Sequence, residues 1–324
     1  MRGLLGATLA YAVLAVALTW PLLPRAAHEV PGDLIDPLFS CWALGWNFHM
    51  MGLSEGGVRP QTWWDANIFH PTPATLARSE HLVVQSLMGA PVYALTRNLV
   101  LTYNVLFLAT FVLSGTFMYL LAREETGDRV AALGAGLLFA FALFRWAQVA
   151  HLGGVSSQWM PLALLAASHV ARGGPRRPTL AWMAVLALAA ALQVTSSGYY
   201  LLFFPPFLAL WSAAAALRAR STQAWLRLAV SGAVAALLAL PLVLPYIALR
   251  SGGAARDLAS VVAHSGDLLS WLTAPEPARL WAGVMRAFPR GEGRLFPGLV
   301  TPLLAALALA VAVRESLRAQ AAAG

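Results

Sequence analysis

The chain has 324 residues, 59% of them apolar or aromatic and only 11% charged, with a mean hydropathy of +0.66. A soluble domain is about 45–50% apolar and about 25% charged, so a soluble globular enzyme and a disordered chain are both excluded. The net charge of +8 sets 22 basic residues, all Arg, against 14 acids; the arginines are scattered between apolar blocks, a pattern of topology and lipid-headgroup contact rather than of nucleic-acid binding.

In chain order, the blocks that approach the roughly 20 apolar residues needed to cross a bilayer are 3–23, 100–122, 130–144, 159–171, 180–194, 199–217, 228–249 and 295–313. The expected fold is therefore all-α: a polytopic membrane helix bundle of about eight transmembrane helices, with residues 1–324 as a single integral membrane domain. The first block reads as an anchor. The alternative is a signal peptide cleaved near Arg25-Ala26-Ala27, which lacks a clean A-x-A site. Residues 81–95 form a ninth apolar block. If it lies on the outer surface, the short inner segments hold 11 Arg against Glu124, Glu125, Asp128 and Glu315, a net of +7, and the outer segments a net of +1. If it spans, every later loop inverts. The first arrangement follows the positive-inside rule, with the N-terminus inside. Gly134 and Gly136 suit close helix packing.

Two outer loops, 24–99 and 250–294, hold most of the acids. Residues 37–53 read as an interfacial helix. Leu38, Trp42, Trp46, Met50 and Leu53 would face lipid, and Asp36, Ser40, Ala43 and Asn47 a cavity. Asp36 before Pro37 is a good helix N-cap. Asp33, after Pro31-Gly32, has no such duty. Either can serve as a general base. His49, His70 and His81 lack metal-ligand spacing, and Trp63-Trp64 reads as an interfacial anchor. At the ends of later spans stand Arg145, suited to a phosphate or a lipid headgroup, and His151 and Gln158, candidate substrate contacts. Tyr199 and Tyr200 read as aromatic-belt residues that can also touch substrate. The second loop offers Asp257, His264, Asp267, Glu276 and Glu292, the last taken as a substrate contact. Cys41 is the only cysteine, so no intrachain disulfide forms. Among the spans His169 is the one clear ionisable residue, which argues against a pump or coupled carrier.

Several short motifs resemble the GT-C superfamily of multi-span glycosyltransferases, in particular its uncharacterised bacterial members. They are Pro31-Gly32-Asp33-Leu34-Ile35-Asp36-Pro37 with Trp42 and Trp46, Tyr103-Asn104 leading to Leu113-Ser114-Gly115, Tyr119-Leu120-Leu121-Ala122-Arg123 with Thr126-Gly127, Gly136-Leu137-Leu138-Phe139-Ala140-Phe141, His151-Leu152, Gln158-Trp159-Met160-Pro161-Leu162, and Leu295-Phe296-Pro297-Gly298. The resemblance implies a bacterial inner-membrane enzyme that moves a sugar from a polyprenyl-phosphate donor to an acceptor at the outer face. It places the catalytic base on Asp33, with Asp36 as a close rival. Family members often carry a second acid, tied to a metal, in the next outer loop. Residues 145–158 contain no Asp or Glu, so no cofactor is expected and a divalent metal is in doubt. The same departure supports an alternative, a non-catalytic lipid-binding or assembly subunit of the same fold.

Overall fold

Long runs of Leu, Ala, Val and Phe with few charges can satisfy their backbone in lipid only as helices. In the computed structural model, which describes residues 2–54, 62–251, 257–263, 265–276, 278–287 and 293–323, every regular element is a helix. An isolated bridge, Thr273–Arg286, is the sole β contact among the described residues. The chain divides into two units, Met1–Ala140 with Gln148–Ala255 and Phe141–Ala147 with Arg256–Gly324.

The first unit begins with α1 (Arg2–Leu18), the short α2 (Leu22–Arg25) and α3 (Asp36–Met50). A 3-10 turn, Thr75–Arg78, leads to α4 (Val83–Thr96), α5 (Leu99–Thr126) and α6 (Arg129–Ala140). In the second unit α7 is Leu143–Ala147. The first unit resumes with α8 (Leu152–Val155), α9 (Trp159–Arg172), α10 (Arg176–Val194), α11 (Gly198–Ala219) and α12 (Thr222–Ser251). The remainder of the second unit includes α13 (Leu258–Ala263) and α14 (Val300–Ala323).

Six helical segments among the described residues are long and apolar enough to cross a membrane: Leu99–Thr126, Arg129–Ala147, Arg176–Val194, Gly198–Ala219, Thr222–Ser251 and Val300–Arg318. Two of the eight expected spans fall short. The first is helical over 17 residues, and α9 over 14. The shortness of α9 has a packing cause. Ala163, Ala166, Ala167 and Val170 have no exposed surface and sit in the central cluster with Leu186 of α10 and Phe204 of α11. What reads in the sequence as a lipid-facing block is the core of the bundle. The 14-residue α4 is also too short to span; it packs against α3 and α5, burying Val84, Gln85 and Ser86.

The helix ends sort by charge within the first unit. Arg172 pairs with Glu124 at 2.7 Å, Ser168 donates to Glu125 at 2.9 Å, and Gly173 abuts Arg227. The arginine-rich turns after α5, α9 and α11 thus meet at one end. At the opposite end lie the segments 24–35, 62–82, 148–158 and 195–198.

Close packing of α1, α5 and α6 rests on two glycines. Tyr11 is fully buried and donates to the Leu133 carbonyl at 3.1 Å. A Cβ at Gly115 would stand 2.7 Å from the Tyr11 ring, and one at Gly136 would overlap the Tyr11 hydroxyl. Gly134, by contrast, has open space around it. Gly136→Val is therefore expected to expel Tyr11 and destabilise the unit by about 1–3 kcal/mol, read as a lower thermal midpoint in detergent, while Gly134→Ala leaves the midpoint within a degree or so of wild type. Equal midpoints for both variants would remove this packing role.

Candidate functional site

The site is assembled at the end of the bundle opposite the arginine-rich turns. Its scaffold is a pair of adjacent residues on α5. Asn104 donates to the carbonyls of Ala26 at 2.8 Å and Glu29 at 2.7 Å, and Asn98 donates to Ala27 at 3.0 Å. Together they hold the segment after α2. Tyr103, fully buried, points its hydroxyl at the Ala150 carbonyl, 3.5 Å away, on the segment before α8. Gly32 adopts φ +84°, a conformation open to glycine, and a Cβ there would stand 3.1 Å from that of Ala150. The two segments therefore meet, and Asp36 Oδ2 lies 3.2 Å from His151 Nε2.

The duties of Asp33 and Asp36 are the reverse of the sequence expectation. Asp33 Oδ1 accepts from the backbone N–H of Ile35 at 2.8 Å and of Asp36 at 3.2 Å, so it builds the turn. Ile35 occupies the N-cap position with an αR backbone, and no side chain caps the helix start. Asp36 is the first helical residue, and its carboxylate is left to face His151. Capping needs an extended residue with its side chain over the first turn, and Ile35 offers neither the backbone nor a polar side chain.

A third acid completes the cluster. Glu80 Oε1 accepts from Ser197 Oγ at 2.6 Å, and its carboxylate lies against Gly153, whose N–H also donates to it. Burial pushes the Glu80 carboxyl above the usual range, against the lowering effect of Ser197, His151 and Gly153; Asp36 raises it further. Two carboxyls at one site with one held toward its protonated form are a recognisable acid–base pair. Glu80 escapes sequence reading because it has no motif. Its one signal is a lone acid abutting an apolar block, and its partners are more than 70 residues away.

Other polar contacts tie the segments together. Gln193 of α10 reaches the start of α9, where its Oε1 accepts from the N–H of Trp159 and Met160 at 3.1 Å each. Its Nε2 donates to Ser156 O at 3.0 Å. Gln85 donates to Ser196 O at 2.8 Å. Tyr200 donates to the Gly154 carbonyl, and Tyr246 to Ser79 O at 2.6 Å. Asn47 donates to His81 O at 2.7 Å and Ser86 Oγ at 2.8 Å and accepts from Trp63 Nε1 at 2.7 Å. Thus Ser40, Ala43 and Asn47 of α3 are packed rather than lining a cavity. Trp46, expected in lipid, is buried and donates to the Trp63 carbonyl at 2.9 Å.

Of the other expected site residues, His151 and Tyr200 join this cluster. Gln158 is 1% exposed, beside Met88. Tyr199 is largely exposed on α11. Arg145 belongs to α7 in the second unit. Asp257, Asp267 and Glu276 also belong to the second unit, where Asp267 caps a 3-10 turn and Glu276 pairs with Arg294 at 2.7 Å. His264 and Glu292 lie outside the described residues. Among the described residues no three His, Cys, Asp or Glu side chains come together as a metal site.

His81 borders the cluster and is buried. Its Nδ1 accepts from Val83 N–H at 3.0 Å, and burial pulls the imidazole down to about 4 from 6.5. A group depressed on folding contributes stability that is complete above its unfolded value and is lost as pH falls through the folded one. The thermal midpoint of the detergent-solubilised protein should therefore fall between about pH 6.5 and 4, by the equivalent of roughly 2–3 kcal/mol, and His81→Asn should flatten this limb. Glu80 has the opposite sign: its contribution is complete below 4.5 and lost as pH rises through its raised value. Glu80→Gln should thus raise the midpoint at neutral pH relative to wild type. An unchanged pH profile in both variants would refute these environments.

No curated protein and no solved structure matches the chain. Residues 82–323 match a family described as a domain of unknown function (DUF6311), three quarters of the chain, and the protein belongs to that family.

Proposed function

We propose that this protein is a GT-C-like glycosyltransferase of the bacterial inner membrane, with its N-terminus inside, that transfers a sugar from a polyprenyl-phosphate donor to an acceptor at the outer face. The observation that carries the reading is the Asp36–His151 pair beside Glu80, gathered at the bundle end away from the arginine-rich turns. The positive-inside rule assigns the arginine-rich end to the cytoplasm and this cluster to the outer face.

In this reading Asp36 is the general base. His151 holds its carboxylate through Oδ2, leaving Oδ1 to take the proton of the acceptor hydroxyl. The acceptor oxygen forms a bond to the anomeric carbon as the bond from that carbon to the lipid phosphate oxygen breaks, with the electron pair leaving on the phosphate. Glu80, which keeps its proton to higher pH than an exposed glutamate, donates to that leaving oxygen. Asp33 shapes the turn and takes no part in proton transfer.

An apolar groove supports a lipid-borne donor. It has a volume of about 560 Å³ and lies between α10, α11 and α12, lined by residues such as Ala190, Val194, Leu201, Pro205, Gly232 and Ala239. Val194 and Leu201 stand one turn from Ser197, the Glu80 partner. The same groove also suits a lipid-binding subunit without turnover, which is the competing reading.

Transfer by the full chain in nanodiscs, supplied with polyprenyl-phosphate hexoses, separates these. Asp36→Asn is expected to lower the transfer rate by about 10²–10⁴-fold, the usual worth of a general base. Asp33→Asn retains a side-chain oxygen for the Ile35 and Asp36 N–H groups, so it should keep most activity. Full activity in Asp36→Asn would remove the base, and donor binding with no transfer by wild type would favour the lipid-binding subunit.

A further inference from the structure

Besides the Asp36–His151–Glu80 cluster, the same unit holds a pocket with one acid and one arginine in its lining. It has a volume of about 470 Å³ and is lined by Thr62, Trp64, Asp65, Arg78, Pro245 and Leu249 among others. Its depth in the membrane follows from α12. Thirty residues make a helix of about 45 Å, some 15 Å longer than the hydrocarbon layer. Counted from Arg227, which abuts Gly173 at the arginine-rich end, Leu249 lies about 33 Å along the helix, so the turn around it reaches the opposite headgroups, at the end where Tyr246 is tied to Ser79. Trp64 stands edge-on to the Tyr246 ring with centroids 6.0 Å apart, as expected of an interfacial aromatic.

The pocket carries one fixed charge of each sign. Asp65 Oδ1 accepts from Ala74 N–H at 2.7 Å and Oδ2 from Thr62 Oγ at 2.5 Å. These bonds lock the carboxylate in place and hold it below the ordinary carboxylate range, the Ala74 bond having the larger effect. Arg78 closes the 3-10 turn, is exposed, and enters none of the ion pairs among the described residues. A planar guanidinium at headgroup depth is suited to a phosphate diester. An anionic headgroup alone would meet the Asp65 carboxylate, whereas an ammonium is attracted both by it and by the face of an indole. Below the pocket, one and two turns before Pro245 on the same face, α12 exposes Pro241 and Leu238, a surface for acyl chains.

We propose that this pocket binds the headgroup of a zwitterionic phospholipid of the phosphoethanolamine class, its phosphate on Arg78 and its ammonium between Asp65 and Trp64. The pocket is independent of the proposed sugar transfer and holds whether or not that reaction occurs.

The test is native mass spectrometry of the full chain in detergent, titrated with phosphatidylethanolamine or phosphatidylglycerol of equal chain length. Wild type should retain the ethanolamine lipid at least about fivefold better. Asp65→Asn keeps an acceptor for Ala74 N–H and should bring the two lipids to equal retention. Arg78→Gln changes an exposed side chain outside the ion pairs among the described residues, and should weaken both lipids. Equal retention by wild type, or retention of both lipids untouched by Arg78→Gln, would overturn the proposal. Soluble glycerophosphoethanolamine at equal concentration should not displace the lipid; displacement would assign the site to a soluble phosphoamine and overturn the lipid source.

Discussion

The fold of the site depends on one pair of neighbours in a membrane helix. Tyr103 and Asn104 sit side by side on α5 and reach two segments that are more than 100 residues apart in sequence. Asn104, with its two donors, holds the carbonyls of Ala26 and Glu29. Tyr103 points to the carbonyl of Ala150. Neither contact touches Asp36 or His151, yet both decide where those side chains arrive. A rigid spanning helix is a better foundation for this purpose than a loop, since its backbone is fully hydrogen-bonded and its rotamers are restrained by packing. The Tyr103 hydroxyl and the Asn104 side-chain NH₂ are affordable because each finds acceptors in the segments it anchors.

The second layer of support comes from α10. Gln193 supplies the acceptor that the first turn of α9 lacks, since Gln158 at its N-cap makes no capping bond. The same amide holds Ser156 O and so ties the segment carrying His151 and Gly153 to the turn carrying Ser197. Glu80, Ser197 and Gly153 are thereby brought together from three parts of the chain. The family match begins at residue 82, so it spans His151, Gly153 and Ser197 but not Asp33, Asp36 or Glu80. The half of the site that supplies the carboxyls lies outside it.

Hydropathy made α5, α10, α11 and α12 legible, because lipid leaves only one backbone solution for long apolar runs. It misjudged α9, since a helix walled in by other helices and a helix facing lipid are equally apolar in sequence. The Asp33 and Asp36 pair was visible, but their roles were not. Their duties turn on where α3 begins: the N-cap falls on Ile35, with an αR backbone, one residue before the position that Asp36-Pro37 suggests. Amphipathicity likewise placed Trp46 in lipid, whereas the segment after α3 folds back and covers it. Glu80 was invisible for the same reason: its environment is made entirely by distant partners.

The brevity of α9 has a consequence for the medium in which the site operates. Fourteen residues give about 21 Å, roughly 9 Å less than the hydrocarbon layer. Its Arg172 end is level with the arginine-rich turns, so its Trp159 end stops beneath the opposite headgroups. The turn bearing His151 and Gly153 fills the gap, held there by Tyr103 of α5 and Gln193 of α10. Asp36 and His151 each keep 42% of their side-chain surface exposed, so water still screens that pair, whereas Glu80, desolvated beside Ser197 and Gly153, is screened less. The thickness of the surrounding bilayer thus becomes part of the electrostatics of the cluster: a thicker membrane brings lipid closer to Glu80, and a thinner one leaves more of the cluster to solvent.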